Sequence, residues 1–213
     1  MTRFLLIRHG ESSANRKQLF AGHYDAELEE HGILQARLTA KFIAENFEVD
    51  KIYSSDLKRA YRTAEEIAAV LNKEIIPSKN LREINAGFWE GLGYADLEKH
   101  TPKEYETWRN DIGHAICPQG ESVTHLGERI MAELTRIANE NEGKTVAIAT
   151  HATPIRATQS IIAHGSTDEM KNIPWVSNAS VTVCEYDGGK WHIIAASLDG
   201  HLGDTKTVLP SYA

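Results

Sequence analysis

Short apolar segments alternate along this chain with longer segments of helical periodicity, and this alternation limits the fold more than any other feature. Phe4 to Ile7 is a continuous apolar run, typical of a fully buried strand. Apolar residues recur at helical spacing from Ile33 to Phe47, and Ile52-Tyr53 forms a second apolar run. Helical spacing returns from Leu57 to Leu71, and a third strand is expected around Glu74 to Ile76. Strands and helices in alternation predict an α/β protein.

The second half of the chain continues this pattern and ends in a hairpin. Apolar residues from Val123 to Ile137 form a helical stripe, and Thr145 to Ala149 reads as a buried strand. Thr153-Pro154 predicts a helix start, with a hydroxyl N-cap before proline in the first turn. The turn Asp187-Gly188-Gly189 separates two alternating segments between residues 181 and 195. We therefore expect a sandwich with a mostly parallel central sheet and a terminal hairpin.

Length, charge and hydrophobic runs exclude several classes of protein. A chain of 213 residues suits one compact domain, which we assign to residues 1–213. Thirty acidic against 23 basic side chains give a formal charge of −7, which argues against a nucleic-acid partner. No apolar run approaches the roughly 18 residues of a spanning helix, and none forms a signal-peptide core. We expect a cytoplasmic protein with no membrane partner, in which Cys117 and Cys184 are buried or free thiols.

Two predicted strands end in histidine. Arg8-His9-Gly10 follows the first strand, and Thr150-His151 closes the strand that begins at Thr145. In a parallel sheet the carboxyl ends of the strands share one edge, where ligands bind. The sequence therefore predicts that both histidines face one pocket.

Basic residues and one carboxylate accompany the two histidines. Arg8 adjoins His9, Arg59 lies after another strand on the predicted polar, solvent-facing side of its helix with Arg62, and Glu83 lies in a loop after the third strand. Guanidinium groups bind phosphate oxygens bidentately, an imidazole attacks phosphorus, and an acid protonates the leaving oxygen. These residue types favour phosphate chemistry. No pair of histidines shows the spacing of a zinc site, so no metal site is predicted.

Several blocks of sequence resemble the histidine phosphatase superfamily, in its phosphoglycerate mutase-like branch. The opening Arg8-His9-Gly10-Glu11-Ser12 with Asn15 is similar to the family's R-H-G-E-[ST]-x-x-N motif. Further blocks follow in order along nearly the whole chain: residues 53–60 with Thr63-Ala64, Leu81-Arg82-Glu83 with Trp89-Glu90-Gly91, Gly120-Glu121-Ser122 with Arg129, and finally His151 and Asn178. The pattern is nearest to the broad-specificity phosphatases of this family.

The resemblance implies a three-layer α/β/α sandwich of the phosphoglycerate mutase-like type and a phosphohistidine mechanism without cofactor or metal. His9 is then the nucleophile, and Arg8, Arg59 and His151 surround the transferring phosphoryl group. Glu83 resembles the family's proton donor, and its proton comes either through burial or from the substrate. The same resemblance assigns substrate binding to Arg8, Asn15, Gly22, Arg59, His151 and Ala152. For Asn15 the alternative is a cap on a turn.

Two departures from the family pattern affect the expected site. Ala152 and Thr153 stand where relatives usually have two glycines after the second histidine, and a positive φ at Ala152 would cost energy. Ala21 stands where many relatives have glutamine before Gly22, so a polar contact to substrate is either missing or replaced by His23.

The segment 85–117 has no clean periodicity and contains Trp89, Tyr94, Tyr105 and Trp108. We interpret it as an insertion that is either a lid over the substrate or a small satellite core.

We predict a metal-independent phosphatase acting on a small phosphorylated metabolite. A cofactor-dependent phosphoglycerate mutase, with isomerase activity, is the alternative enzyme, because it uses the same histidine. A non-catalytic phosphate-binding regulatory protein and a metal-binding protein are alternatives of other classes. A retained nucleophile argues against the first of these, and the histidine spacing argues against the second. The oligomeric state stays open between monomer and homodimer.

Overall fold

The computed structural model describes residues 1–207 and is built on a six-stranded sheet with the strand order β3-β2-β4-β1-β5-β6. Pairing is parallel between β1 and β4, β4 and β2, and β2 and β3, whereas β5 runs antiparallel to β1 and to β6. The mostly parallel sheet with a terminal hairpin is therefore confirmed. The strands are β1 Thr2–Arg8, β2 Lys51–Ser55, β3 Ile75–Ser78, β4 Thr145–Thr150, β5 Val181–Asp187 and β6 Lys190–Leu198.

Helices cover both faces of this sheet because successive side chains of a strand point to opposite faces. Leu5 and Ile7 of β1 pack with α2 and α3 on one face, and Phe4 and Leu6 pack with α6 and α7 on the other. The two apolar clusters lie between the sheet and the helices on each face, so the fold is a three-layer α/β/α sandwich. The helices are α1 Ser13–Arg16, α2 Glu30–Asn46, α3 Lys58–Leu71, α4 Tyr94–His100, α5 Pro102–Asn110, α6 Val123–Glu140 and α7 Ala152–His164.

The segment 85–117 folds as short helices around aromatic side chains. Trp89, Tyr105 and Trp108 are buried together with Phe20, whose ring centroid lies 4.9 Å from that of Trp108. Val123 and Leu126 of α6 belong to the same cluster. This segment is therefore a second core, separate from the clusters on the sheet, and its missing periodicity reflects packing around rings from several elements.

Helix α7 begins at Ala152 with His151 as its N-cap, so the predicted N-cap at Thr153 is wrong. The N–H groups of this turn face polar groups of the site described below, which removes the need for a hydroxyl cap.

Cys117 and Cys184 are both buried and free, as expected. Among residues 1–207, no helix has the length and apolar character required to cross a bilayer.

Candidate active site

The register of β1 against β4 brings the two histidines together. Arg8 pairs with Thr150 at the carboxyl end of the parallel ladder, so the residue that follows each strand emerges at the same edge. The rings of His9 and His151 lie 5.2 Å apart between centroids at an interplanar angle of 63°. Both are buried, with exposed fractions of 4% and 0%.

The hydrogen bonds of His9 define its tautomer. The carbonyl oxygen of Gly10 can only accept, so the 2.7 Å contact places the proton on Nδ1, which donates to it. Arg59 Nε donates to His9 Nε2 over 3.2 Å, so this nitrogen carries a lone pair. Burial, together with the positive charges of Arg59 and Arg8, holds the pKa of His9 well below its usual value of 6.5. The imidazole is therefore neutral at pH 7, and its Nε2 can attack once Arg59 Nε moves its hydrogen bond from this nitrogen to a phosphate oxygen.

The second histidine, His151, packs against the imidazole ring of His9. Its Nε2 shares a 2.8 Å hydrogen bond with Ser55 Oγ at the end of β2, while Nδ1 is buried without a protein partner in the described residues. Burial and the neighbouring charge of Arg59 hold the pKa of His151 well below 6.5. In the tautomer with the proton on Nδ1, Nε2 accepts from Ser55 Oγ and an anion beside the ring would accept from Nδ1.

Two arginines flank His9, and one of them is placed differently from the prediction. Arg59 has no exposed surface, so its assignment to a solvent-facing helix side is wrong. Carbonyl oxygens of Gly22 and Tyr24 accept from its NH2 and NH1 groups at 2.8 and 3.0 Å and offset the cost of burial.

Within residues 1–207, Arg8 has one of its nitrogens hydrogen-bonded to the protein. NH1 donates to the carbonyl of Val176 at 2.6 Å, and Nε is buried without a partner in the part of the chain that the structure describes. Burial lowers the pKa of both Arg8 and Arg59 to about 10, which leaves both guanidinium groups charged at pH 7. A charged group with an unused donor, aimed at this edge of the sheet, fits a phosphate oxygen.

Glu83 reaches the same place from the loop after β3. Its Oε1 accepts from the N–H of Ile84 at 2.9 Å, and its Oε2 accepts from the N–H of Thr153 at 3.4 Å in the first turn of α7. The side chain is 9% exposed. The carboxyl group is therefore held at the edge of the same cavity as His9.

A cavity of about 300 Å³ opens over these residues. One side of it is polar and contains Arg8, His9, Arg59 and Glu83, while the buried His151 packs beside His9 without lining the cavity. The other side comes from the aromatic second core. Its residues are Phe20, Tyr94, Tyr105, Trp108 and, from the loop before β5, Trp175. The aromatic segment is thus a satellite core that also forms one wall of the cavity.

Asn15 is placed by its own capping bonds. Its Oδ1 accepts from Ser12 N at 3.0 Å and from Ser12 Oγ at 2.9 Å in a capping box at α1, and from Asn178 Nδ2 at 3.3 Å. The residue also lines the cavity. The cap is therefore present, and the amide nitrogen of Asn15 is the atom left for a ligand.

Gly22 and Ala152 also line the cavity. Gly22 has a φ of +50°, and a Cβ there would lie 2.5 Å from Ala86 Cβ, so glycine is needed both for conformation and for space. Ala152 is the first residue of helix α7 and does not have a positive φ. The energetic cost of a positive φ at this position therefore does not arise. His23 does not reach the cavity as a substitute polar contact, because its ring Nε2 donates to the Glu83 carbonyl at 2.9 Å.

Sequence reasoning missed several contributors. Ser55 was assigned no role, although it bonds His151, and Phe20 and Trp175 were not expected in the cavity. An isolated tryptophan in the short loop before β5 is a weak signal for such a wall. No group of three or more potential metal ligands occurs within residues 1–207, and the arginines occupy the positions around His9 instead.

The arrangement suits transfer of a phosphoryl group to nitrogen. A neutral imidazole presents a lone pair, two guanidinium groups and the N-terminus of α7 favour negative charge, and a carboxyl group is close enough to exchange a proton with a leaving oxygen.

Comparison with known proteins agrees with this geometry. Residues 4–198 match the family model of the histidine phosphatase superfamily, branch 1. The chain is 32% identical over 204 residues to phosphoglycerate mutase-like protein 4 of Arabidopsis thaliana, covering 94% of this chain and 87% of that protein. It is 32% identical over 206 residues to a metal-independent phosphoserine phosphatase of the same plant, covering 95% and 84% respectively. The solved structure of Bacillus stearothermophilus YhfR is similar with a TM-score of 0.90 and 28% identity, over 95% of this chain and 100% of that one.

Proposed function

The chain belongs to the histidine phosphatase superfamily, branch 1, and on that premise we propose that it hydrolyses a small phosphorylated metabolite through a phosphohistidine at His9, without a metal ion. Its general activity is that of a phosphoric monoester hydrolase, in common with the phosphatases to which it is similar. The neutral tautomer of His9, with its Nε2 lone pair beside Arg59, is the observation that carries the proposal.

In the first half-reaction His9 Nε2 attacks phosphorus and the bond to the ester oxygen breaks. Arg8 and Arg59 stabilise the equatorial oxygens, and the buried His151, with its ring centroid 5.2 Å from that of His9, adds a polar group next to the nucleophile. Glu83 gives a proton to the departing oxygen, so the alcohol leaves neutral. The product is N-phosphohistidine, in which the transferred phosphoryl group keeps its oxygens and has exchanged its bond to the ester oxygen for a bond to nitrogen.

In the second half-reaction water attacks the phosphohistidine. The Glu83 carboxylate takes a proton from the water, the P–N bond breaks and inorganic phosphate is released. His9 regains its lone pair, and Glu83 regains the proton for the next cycle. No step requires a metal ion, because the two guanidinium groups supply the positive charge that metals supply in other phosphatases.

The charge of the segment 85–117 favours a substrate with one phosphoryl group. We propose that residues 85–117 form a lid within a single domain of residues 1–213. Its basic residues are only Lys99, Lys103 and Arg109, set among a larger number of acidic ones, and none of these three lines the cavity. A phosphoglycerate mutase must hold a bisphosphate until the phosphoryl group is returned, which calls for more positive charge than this segment offers.

A screen of phosphorylated metabolites with the purified protein tests the proposal. Inorganic phosphate should be released from at least one monoester at an unchanged rate after exhaustive chelation. Loss of activity in chelator, restored by magnesium or zinc, would contradict the metal-independent mechanism.

A further inference from the structure

Arg129 of α6 uses every one of its N–H donors, and three of the acceptors are backbone carbonyls of the loop that carries Glu83. Nε and NH2 donate to Glu121 Oε1 and Oε2 at 3.0 and 2.9 Å. NH1 donates to the carbonyls of Asn80 and Arg82 at 2.7 and 3.1 Å, and NH2 also donates to that of Glu83 at 3.3 Å. A guanidinium group has five N–H donors, so all five are satisfied.

Glu121 holds the far end of the same loop. Its backbone N–H donates to the carbonyl of Asn85 at 2.8 Å, and its Oε2 accepts from the N–H of Asn85 at 3.2 Å. The Arg129 and Glu121 side chains are 18% and 8% exposed. Although burial acts to raise the pKa of Glu121, the hydrogen bonds and charge of Arg129 hold it below its usual value. The ion pair is therefore intact at neutral pH.

This pair determines where the Glu83 carboxyl group can lie. The carboxylate itself accepts only weakly directing contacts, from the adjacent Ile84 N–H and, at 3.4 Å, from Thr153 N–H. Its position at the edge of the cavity that His9 also lines depends on the backbone from Asn80 to Asn85, which Arg129 and Glu121 hold from one side.

We propose that Arg129 and Glu121 act together as positioning residues that aim Glu83 at the leaving oxygen. Neither residue lines the cavity, so neither touches the substrate. The inference rests on the proposed role of Glu83 as proton donor, and it predicts that damage to the pair reproduces the loss of that donor.

The test compares leaving groups. Alkyl phosphates need a proton on the departing oxygen, whereas aryl phosphates leave as phenolates with little help. The measured quantity is kcat/KM, because it reports formation of the phosphoenzyme even when its hydrolysis is slow. Glu83→Gln should lose on the order of 100-fold or more on benzyl phosphate and much less on 4-nitrophenyl phosphate.

Arg129→Gln should show the same selectivity, with a loss on the order of 10- to 100-fold on benzyl phosphate, the scale that misplacement of a catalytic group by about 1 Å costs. In the double variant Glu83→Gln/Arg129→Gln, kcat/KM on benzyl phosphate should equal that of Glu83→Gln alone, because Arg129 acts only through Glu83. Glu121→Gln should give a smaller loss with the same selectivity, and it provides a second probe if Arg129→Gln folds poorly.

Arg136→Gln is the matched control. Arg136 also lies on α6 and pairs with a buried carboxylate, Glu133, at 2.9 Å, and that carboxylate accepts from Ser78 and Asn80. Arg136 itself makes no hydrogen bond to residues 80–85 within the described chain, and Glu133 binds the side chain of Asn80, not the backbone that carries Glu83. Arg136→Gln should lower the free energy of unfolding but should not change the ratio of kcat/KM on benzyl phosphate to that on 4-nitrophenyl phosphate.

The outcomes separate the inference from the proposed function. Equal losses on both leaving groups in Arg129→Gln and Glu121→Gln, with selectivity retained in Glu83→Gln, would overturn the positioning role and leave the mechanism standing. Selectivity missing from Glu83→Gln itself would overturn the proton-donor role and the positioning role together. Additive losses in the double variant would likewise contradict an effect exerted through Glu83.

Discussion

Acidification should destabilise this protein because it buries two neutral histidines. Burial, with the charge of Arg59, holds the pKa of His9 and of His151 well below 6.5. In the unfolded chain both rings take up protons near that ordinary value. Between the pKa of a ring in the folded state and its higher pKa in the unfolded state, the unfolded state binds more protons. The free energy of unfolding is therefore highest above pH 6.5 and decreases as the pH falls.

The magnitude follows from the number of protons. Each ring that stays neutral in the folded state lowers the free energy of unfolding by about 1.4 kcal/mol per pH unit once its unfolded counterpart is charged. From about pH 7.5 to about pH 5 this amounts to about 2 kcal/mol for one histidine and about 4 kcal/mol for both. The carboxylates with lowered pKa contribute only at more acidic pH, below their usual values of 3.8 and 4.5. They are Asp56, Glu121, Glu133 and Asp199.

Urea denaturation at several pH values measures this dependence. His9→Gln and His151→Gln should each remove about 2 kcal/mol of the change, whatever their effect on stability at pH 7.5, and His201, whose pKa burial also lowers, contributes to what remains. His192→Gln, at an exposed position on β6, should leave the change intact. A free energy of unfolding that is constant from pH 7.5 to 5, or an undiminished pH dependence in both core variants, would refute the claim that the two rings are neutral.

Two further predictions concern the cavity. Gly22→Ala should lower the free energy of unfolding by about 2 to 4 kcal/mol, from the cost of positive φ and from overpacking against Ala86, and should reduce kcat/KM because the Gly22 carbonyl holds Arg59. Gly143→Ala, with φ of +80° and open space around it, isolates the backbone cost; equal effects of the two variants in thermal denaturation and activity assays would count against the close packing at Gly22. With 3-phosphoglycerate, release of inorganic phosphate should exceed interconversion to 2-phosphoglycerate, with or without 2,3-bisphosphoglycerate as primer. Primer-dependent interconversion that outruns phosphate release would instead identify a mutase.

The inner strands of the sheet could be predicted because they are buried on both faces. A strand such as β1, covered by helices on each side, has to be a continuous apolar run, and this pattern is legible without any tertiary information. The two histidines could be placed together for the same reason, since the parallel arrangement brings the ends of β1 and β4 to one edge.

The environment of Arg59 could not be predicted from periodicity. A charged residue on an amphipathic helix is normally solvated, and helical spacing therefore assigned Arg59 to the polar side. Its burial depends on carbonyl acceptors at Gly22 and Tyr24, about 35 positions earlier in the chain, in a loop without a regular pattern. Only the fold brings that loop over α3.

The contributions of Phe20 and Trp175 to the aromatic wall could not be predicted for a related reason. Trp89 and Trp108 pack against Phe20, which lies outside the segment 85–117, and Trp175 joins the cavity from a distant loop. A cluster assembled from separate loops has no spacing rule within any one of them.

The central claim is that His9 carries the phosphoryl group during turnover. A brief reaction with a radiolabelled phosphomonoester, quenched in base, should trap a base-stable and acid-labile label, and peptide mass spectrometry should place it on His9. His9→Ala should remain folded, fail to take up label and lose turnover, because no other attacking atom occupies that end of β1 in the described structure. Label on another residue, or turnover at the wild-type rate in His9→Ala, would contradict the account.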